Sequence, residues 1–182
     1  LLNISPDHID HHGNFAEYKR AKNRIKESKK VTQESDPAKL WSMIVGKPQS
    51  AVQDIELKDL PHRYQRITTH NQMVFINDSK ATNLTALKFA LKKISSPYVL
   101  ILCGDPNKEQ YESYKIIGPK KVYIFGNHAE EISRKIFHPE KIVFKNKGLS
   151  SVMRVIFKET YDSQTQILFS PGHPSGQDYK NF

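Results

Sequence analysis

The chain has 182 residues, which is long enough to bury the core of one large domain or of one domain with part of a second. Its 28 Lys and Arg residues outnumber its 19 Asp and Glu residues, and the formal net charge of +9 favours anionic partners. The single cysteine, Cys103, excludes an internal disulfide and an all-cysteine metal site, and no apolar run reaches the ~20 residues that a transmembrane helix needs.

The lysines are scattered as doublets and are not grouped with aromatic residues in an RNA-binding signature, so small anionic ligands are favoured over nucleic acid. An ordinary basic surface explains the same charge. The cysteine usage and the absence of a long apolar run predict a cytoplasmic protein without membrane insertion.

The amino-terminal part combines a histidine-rich segment with helical patterns. Residues 1–4 resemble the end of a strand, and residues 5–13 are predicted to form a loop that holds three His and two Asp within six residues. Such residues suit Mg²⁺, Mn²⁺ or Zn²⁺, and they equally suit a solvated turn with capping aspartates. Helical spacing follows over residues 14–25.

Lys22 lies beside the apolar face of that helix, either as a lysine whose stem covers apolar surface or as a functional group that needs a partner from another segment. A polar linker is predicted over residues 29–37. Helices are predicted over residues 38–45, ended by Gly46, and over residues 49–57.

Beyond residue 60, short apolar runs alternate with helical patterns. The predicted strands cover residues 73–76, 98–103, 121–125, 141–144 and 166–169, and the predicted helices cover residues 82–93, 109–117, 128–137 and 149–157. This alternation predicts right-handed βαβ units, and therefore an α/β fold with a mostly parallel sheet and flanking helices.

Polar segments follow four of these strands, at residues 77–83, 104–108, 126–128 and 170–175. Because ligands of open α/β sheets bind beyond the carboxyl ends of the strands, we expect the four segments to converge. Six of the seven residues in NDSKATN (77–83) are polar, which exceeds what helix capping requires and favours a phosphate or carboxylate ligand at the helix start. Residues 104–108 can be interpreted equally as a simple turn with an exposed lysine or as a second cationic site.

Three groups of residues resemble the Mur ligase family, and specifically its D-glutamate-adding branch. They are LPHR (60–63) with INDSKATN (76–83), LFSP (168–171) continuing through Ser175 to residues 181–182, and NISPDHID (3–10) with YKRAKNRI (18–25). The resemblance implies a partial central ATPase domain over residues 1–58, present as a helical remnant. It also implies a Rossmann-like, amino-acid-binding carboxyl-terminal domain over residues 59–182.

The family uses ATP to join an amino acid to a nucleotide-linked carboxylate through an acyl phosphate, with Mg²⁺ bound, and this branch adds D-glutamate to UDP-N-acetylmuramoyl-L-alanine in peptidoglycan synthesis. The resemblance therefore implies small-molecule partners and a monomeric enzyme. It makes His8 a Mg²⁺ ligand and Lys22 a carbamylated lysine that holds a second Mg²⁺. Both residues would thus belong to the metal site and to the catalytic machinery.

The resemblance also assigns the two ligands of the second domain. The ATP contacts would come from His62, Arg63, Asp78 and Lys80. The contacts to D-glutamate would come from Thr82, Lys108, Ser175 and Phe182.

Some family features differ or are missing. Cys103-Gly104 stands where the family has a glycine pair, and Lys108 comes one residue later than the corresponding lysine of the family. Gln177 stands where the family has an acidic residue. The family's uridine-nucleotide-binding domain and glycine-rich phosphate loop have no counterpart in these residues, so the chain alone is expected to be inactive. The alternative is a non-catalytic α/β module that binds a nucleotide or an acidic amino acid.

Overall fold

The computed structural model describes residues 9–27, 34, 36–52, 60–68, 73–108 and 112–176, with the side chains of residues 9, 10 and 52 left out. The chain divides into two compact units, Leu1–Lys58 and Asp59–Phe182. None of the helices in the described ranges combines the length and the apolar character that crossing a lipid bilayer requires.

The described part of the first unit is helical. It contains α1 (Ile9–His12), α2 (Phe15–Asn23) and α3 (Pro37–Val45), with 3₁₀ turns at Arg24–Glu27 and Gln49–Val52. The side chain of Asp36 accepts the N–H of Lys39 at the start of α3, and Gly46 ends this helix in the left-handed conformation (φ 73°). The helix predicted over residues 38–45 is therefore confirmed.

Two predictions for the first unit need correction. Residues 9–12 form α1 where a loop was predicted, and the helix predicted from residue 49 is a 3₁₀ turn over Gln49–Val52. The remainder of that helix, the strand end at residues 1–4 and most of the linker lie outside the described residues.

The second unit is an α/β domain, as predicted. Its strands are β1 (Gln65–Thr68), β2 (Val74–Asn77), β3 (Tyr98–Cys103), β4 (Tyr114–Lys115), β5 (Lys121–Gly126), β6 (Ile136–Phe137), β7 (Lys141–Lys145) and β8 (Gln166–Gly172). Its helices are α4 (Leu84–Lys93), α5 (Ala129–Lys135) and α6 (Leu149–Ile156), with a 3₁₀ turn at Pro106–Lys108.

The main sheet has six strands in the order β1-β2-β8-β3-β5-β7. Only the edge strand β1 is antiparallel, pairing with β2, and the other neighbours are parallel. Strands β4 and β6 form a separate parallel pair. Because the central strands run in the same direction, their carboxyl ends meet at one edge of the sheet.

The two faces of the sheet are covered by different helices. Leu87 of α4 and Ile132 of α5 pack on one face with Leu100 and Leu168, whereas Val152 of α6 packs on the other face. All six residues of β3 are buried, as expected for a continuous apolar strand covered on both sides. The predicted mostly parallel sheet with flanking helices is confirmed.

The helix predicted over residues 109–117 is wrong within its described part, residues 112–117. Tyr114 and Lys115 form β4, and burial alternates along the segment, with Ile116 at 2% exposure and Ile117 at 73%. A two-residue alternation is the pattern of a strand, whereas the prediction assumed a helical period. The prediction of a helix to Phe137 is also too long, because α5 ends at Lys135 and residues 136–137 form β6.

Candidate ligand site at the carboxyl edge of the sheet

Four segments meet at the carboxyl edge of the main sheet, and we call them together the carboxyl-edge site. They are residues 62–64, which precede β1; residues 77–82, which follow β2; residues 104–108, which follow β3; and residues 169–176, at and after the end of β8. Each of these four segments is hydrogen-bonded to at least one of the other three.

Asp78 fixes three of these segments at one point. Its backbone N–H donates to the carbonyl of Phe169 (2.8 Å), and its carboxylate accepts the backbone N–H of Tyr64 (3.0 Å) and the hydroxyl of Ser170 (2.9 Å). Ser170 is fully buried and Asp78 is buried. Burial raises the pKa of the Asp78 carboxyl above its ordinary value, although the two hydrogen bonds and the nearby cations oppose this shift.

His62 connects the segment before β1 to the segment after β2. Its carbonyl accepts the N–H of Lys80 (3.1 Å), and its ring Nδ1 lies 3.0 Å from the side-chain nitrogen of Asn77. His62 and Tyr64 both have positive φ, 64° and 52°. That conformation is unfavourable for a non-glycine residue, so these hydrogen bonds hold a strained turn at the site.

The loop after β3 is attached to the loop after β8. The N–H of Asp105 donates to the carbonyl of Pro174 (2.8 Å), and Nζ of Lys108 donates to the carbonyl of Ser175 (2.7 Å). A Cβ on Gly104 would lie 2.5 Å from the carbonyl oxygen of Pro174, so glycine is required for this close approach. Two residues assigned to D-glutamate, Lys108 and Ser175, are therefore in direct contact.

A polar cluster beside this loop was not found by sequence reasoning. His128 Nδ1 lies 2.6 Å from a carboxylate oxygen of Glu131, which also accepts the side-chain amide of Asn107 (3.0 Å). His128 Nε2 lies 3.8 Å from the carboxylate of Asp105. The sequence marks residues 126–128 only as a polar segment, and the spacing of three between His128 and Glu131 at the start of α5 was the available signal.

The surface of the carboxyl-edge site is cationic. Arg63, Lys80 and Lys108 are exposed, whereas Asp78 is buried. Within the described ranges, the side chains of Arg63 and Lys80 are in no ion pair. Exposed cations without a carboxylate partner fit the phosphate groups of a nucleotide or the carboxylates of an amino acid.

The structure brings most of the residues assigned from the sequence to one place. His62, Arg63, Asp78, Lys80, Thr82, Lys108 and Ser175 all belong to the carboxyl-edge site, whereas His8 and Phe182 lie outside the described residues. Asp78 has both carboxylate oxygens engaged within the protein, so its contribution in this structure is to position its neighbours.

The metal site remains a prediction. Lys22 is exposed on α2, and its Nζ lies 5.4 Å from the ring centroid of Tyr18. No group of three or more His, Cys, Asp or Glu side chains that could hold a metal ion occurs among the described residues. The described residues therefore supply no such group by themselves, and His8 lies outside them.

Two substitutions of Asp78 should show separately how its hydrogen bonds and its negative charge contribute to stability. Asp78→Ala leaves a buried hydroxyl and a backbone N–H without their acceptor, and we expect it to lower the free energy of unfolding by about 1–3 kcal/mol. Asp78→Asn keeps an amide oxygen that accepts the N–H of Tyr64, and its NH₂ group can donate to the Ser170 hydroxyl oxygen in the reverse of the parent hydrogen bond. Chemical denaturation followed by circular dichroism at pH 7 measures both variants.

The raised pKa of Asp78 determines whether Asp78→Asn raises or lowers the stability of the chain. Because the folded state holds the proton more tightly than the unfolded state, ionisation of Asp78 lowers stability as the pH rises through the interval above about 4. At pH 7 Asp78→Asn should therefore be at least as stable as the parent chain. A loss as large as that of Asp78→Ala would show that the carboxylate itself is needed for folding.

Comparison with solved structures gives the class of the fold. The chain matches MurF from Acinetobacter baumannii with a TM-score of 0.54 and 12% identity, over 76% of this chain and 33% of that one. It matches MurF ligase from Thermotoga maritima, solved in complex with ADP, with a TM-score of 0.52 and 13% identity, over 72% of this chain and 32% of that one. The fold is thus that of part of a Mur ligase.

Sequence comparison adds the family. The chain is 33% identical over 132 residues to UDP-N-acetylmuramoylalanine–D-glutamate ligase of Buchnera aphidicola and 30% identical over 131 residues to the enzyme of the same name from Thermosynechococcus vestitus. In each case the match covers 68% of this chain and 28% of the relative. No protein-family profile matches the chain. The chain belongs to the Mur ligase family, and it spans little more than a quarter of the length of these relatives.

Proposed function

We propose that this chain is part of an ATP-dependent amide ligase that adds D-glutamate to UDP-N-acetylmuramoyl-L-alanine in peptidoglycan synthesis, and that it is inactive on its own. The observation that carries the proposal is the carboxyl-edge site, in which seven residues assigned from the family resemblance lie on four segments that hydrogen bonds join together and that expose a cationic surface. The similarity to relatives named for this reaction supports the same substrates.

The exposed cations would serve the nucleotide. Arg63 and Lys80 would hold its phosphates, with His62 beside them, and Asp78 would keep these residues in place through Tyr64 and Ser170. ATP, when bound, would supply the phosphoryl group that activates the substrate carboxylate. Arg63 and Lys80 would then offset the negative charge that develops around that group, which is the main demand of phosphoryl transfer.

The contact between Lys108 and Ser175 would serve the amino acid. D-glutamate carries two carboxylates, and the ammonium of Lys108 with the hydroxyls of Thr82 and Ser175 would pair with them. In the structure Lys108 donates to the backbone carbonyl of Ser175, which keeps its ammonium at the junction of the two loops. Phe182 would complete this contact.

The two units would correspond to two domains of the ligase. Residues 1–58 would be part of the central domain, with His8 and a carbamylated Lys22 as the Mg²⁺ ligands, and residues 59–182 would be the carboxyl-terminal domain. The complete enzyme would act in the cytoplasm as a monomer.

Removal of Lys80 should weaken nucleotide binding. In isothermal titration calorimetry with ADP, we expect Lys80→Ala to raise the dissociation constant about five- to tenfold, because an exposed charge contact contributes roughly 1–1.4 kcal/mol. Lys92→Ala is the matched control, since Lys92 is an exposed lysine at the end of α4, remote in sequence from the strand ends that form the site. Equal effects of the two substitutions would show that Lys80 contributes to ADP binding only through the overall positive charge of the chain.

A phosphate-release assay tests the inactivity of the chain and its alternative function together. With ATP, Mg²⁺, UDP-N-acetylmuramoyl-L-alanine and D-glutamate, we expect no release of phosphate above the protein-free rate. Activity would refute the statement that the chain is inactive alone. Binding of ADP or D-glutamate without activity even after the remaining ligase domains are supplied would favour the non-catalytic binding module.

A further inference from the structure

A pocket of about 180 Å³ lies on the α4 face of the second unit, and Tyr64 is the one lining residue that it shares with the carboxyl-edge site. We call it the amino-edge pocket, and its lining residues are Tyr64, Arg66, Lys93, Ile94, Ser95 and Gln166. Gln166 is the first residue of β8, and Ile94 and Ser95 directly follow α4. The pocket therefore extends toward the amino ends of the parallel strands, where no residue was assigned to ATP or D-glutamate.

Strand register explains why these side chains meet. Arg66 pairs with Ile76 and Gln166 pairs with Tyr98, and both partners belong to the core on the α4 face. Arg66 and Gln166 thus project toward α4, because residues paired across a sheet share a face. The last turn of α4 brings Lys93 over the same region, with its Nζ 4.3 Å from the ring centroid of Tyr64.

The amino-edge pocket carries two cations, Arg66 and Lys93. Among the described residues, neither side chain is within ion-pair distance of a carboxylate. The carboxyl end of α4 contributes a partial negative charge of about one half, and the more distant carboxylate of Asp78 also interacts electrostatically with Lys93. The pocket keeps a net positive charge, which favours an anion.

The polar groups of the pocket are suited to an oxyanion. The guanidinium of Arg66 offers a planar fork of donors, Lys93 a compact charge, and Ser95 a hydroxyl. Gln166 is only 7% exposed, and its amide oxygen is buried without a hydrogen-bond partner among the described residues. This oxygen is an acceptor, so it can be satisfied only by a donor such as a hydroxyl group of the ligand, and not by an ionised phosphate oxygen.

We propose that the amino-edge pocket binds a phosphate group, either as free phosphate or as the phosphate of a small phosphorylated metabolite. The phosphate oxygens would accept from Arg66, Lys93 and Ser95, and the ring of Tyr64 would border the rest of the ligand. This proposal does not depend on the ligase function, because it uses none of the residues assigned to ATP or D-glutamate.

Calorimetry of the full chain with two probes, inorganic phosphate and glycerol 3-phosphate, tests this proposal at constant ionic strength. The titrations use the Lys80→Ala background, so that phosphate binding at the carboxyl-edge site is suppressed. We expect Arg66→Gln and Lys93→Gln each to raise the dissociation constant at least about fivefold, because each removes a charge-assisted hydrogen bond. Lys92→Gln, which alters a neighbouring lysine that does not line the pocket, should change it less than about twofold.

The two probes distinguish the source of the phosphate group. Binding of glycerol 3-phosphate alone would identify a phosphorylated metabolite, and equal binding of both would identify the phosphate group itself. The backbone amides of Ser95 and Gln166 should shift in ¹H–¹⁵N spectra in either case. Failure of both probes to bind at about 10 mM, or an equal loss in Lys92→Gln and Lys93→Gln, would overturn the proposal. Arg66 and Lys93 are exposed, so the folded state should tolerate both substitutions.

Discussion

Gly104→Ala is expected to destabilise the second unit by about 3 kcal/mol or more and to disconnect Lys108 from Ser175. Gly104 has φ +107°, and an added Cβ would lie 2.5 Å from the carbonyl oxygen of Pro174 and 2.9 Å from that of His173. Both contacts are with backbone, which cannot rotate aside as a flexible side chain can. The loops after β3 and β8 would therefore have to separate.

Two other glycines provide controls for Gly104. Gly148 has φ −92° and open space around its Cβ position, so Gly148→Ala should leave stability nearly unchanged. Gly46 has φ +73° but also open space, so Gly46→Ala should cost only the backbone strain of about 1–2 kcal/mol. Urea denaturation of the three variants measures these differences. An effect of Gly104→Ala no larger than that of Gly46→Ala would show that the loops can separate without cost.

Acidification should lower the free energy of unfolding of the chain because His173 is buried. This residue is fully buried at the end of β8, and burial, with a smaller contribution from Lys135, lowers the pKa of its imidazole from the ordinary 6.5 to about 3. Between these values the unfolded state binds a proton that the folded state does not. The free energy of unfolding therefore falls as the pH drops below 6.5, by roughly 3 kcal/mol at pH 4.5.

The contribution of His173 can be isolated by substitution. In His173→Gln the difference in stability between pH 7 and pH 4.5 should shrink by roughly 3 kcal/mol relative to the parent chain, because glutamine does not titrate. His11→Gln, at an exposed histidine of α1, should keep the parent pH dependence. Denaturant titrations at several pH values provide the measurement, and an unchanged pH dependence in His173→Gln would contradict the assignment.

The continuous apolar strands were the most predictable part of the fold. Tyr98–Cys103 was predicted with its observed bounds, since six consecutive apolar residues suit a strand that is covered on both faces. Helix α4 was predicted two residues too early, because Asn83 serves as its N-cap and the preceding polar residues belong to the carboxyl-edge site. Capping residues and ligand residues are of the same types, so sequence alone could not divide them.

The edge of the sheet and the end of β8 were less predictable. Strand β1 was missed because its sequence, Gln-Arg-Ile-Thr, carries one apolar residue and gains its stability from pairing with β2. Strand β8 was predicted to stop at Phe169, because residues 170–176 were interpreted as a loop. It continues to Gly172, and Pro171 is tolerated there because the β2 ladder ends at Phe169 and the β3 ladder is irregular between Ile101 and Cys103.

The candidate site was predictable wherever a motif follows a strand. Because ligands bind at the carboxyl ends of parallel strands, the positions of residues 77–83 and 104–108 after two predicted strands were enough to place them at the same edge. Two long-range contacts could not be predicted: the buried contact between Asp78 and Ser170, and the contacts of the His128–Glu131 pair to Asn107 and Asp105. Both depend on side chains that are brought together only by the order β2-β8-β3-β5 and by the loops that follow these strands.

Chemical-shift mapping of the ¹⁵N-labelled chain with ADP and with D-glutamate tests the carboxyl-edge site most directly. We predict that ADP shifts the amides of residues 62–64 and 77–82, and that D-glutamate shifts those of residues 104–108 and 173–176 more strongly than L-glutamate does. The Lys108→Ala variant should lose the D-glutamate shifts and keep the ADP shifts. Shifts confined to residues outside the carboxyl-edge site, or no saturable shift with either ligand, would contradict the account.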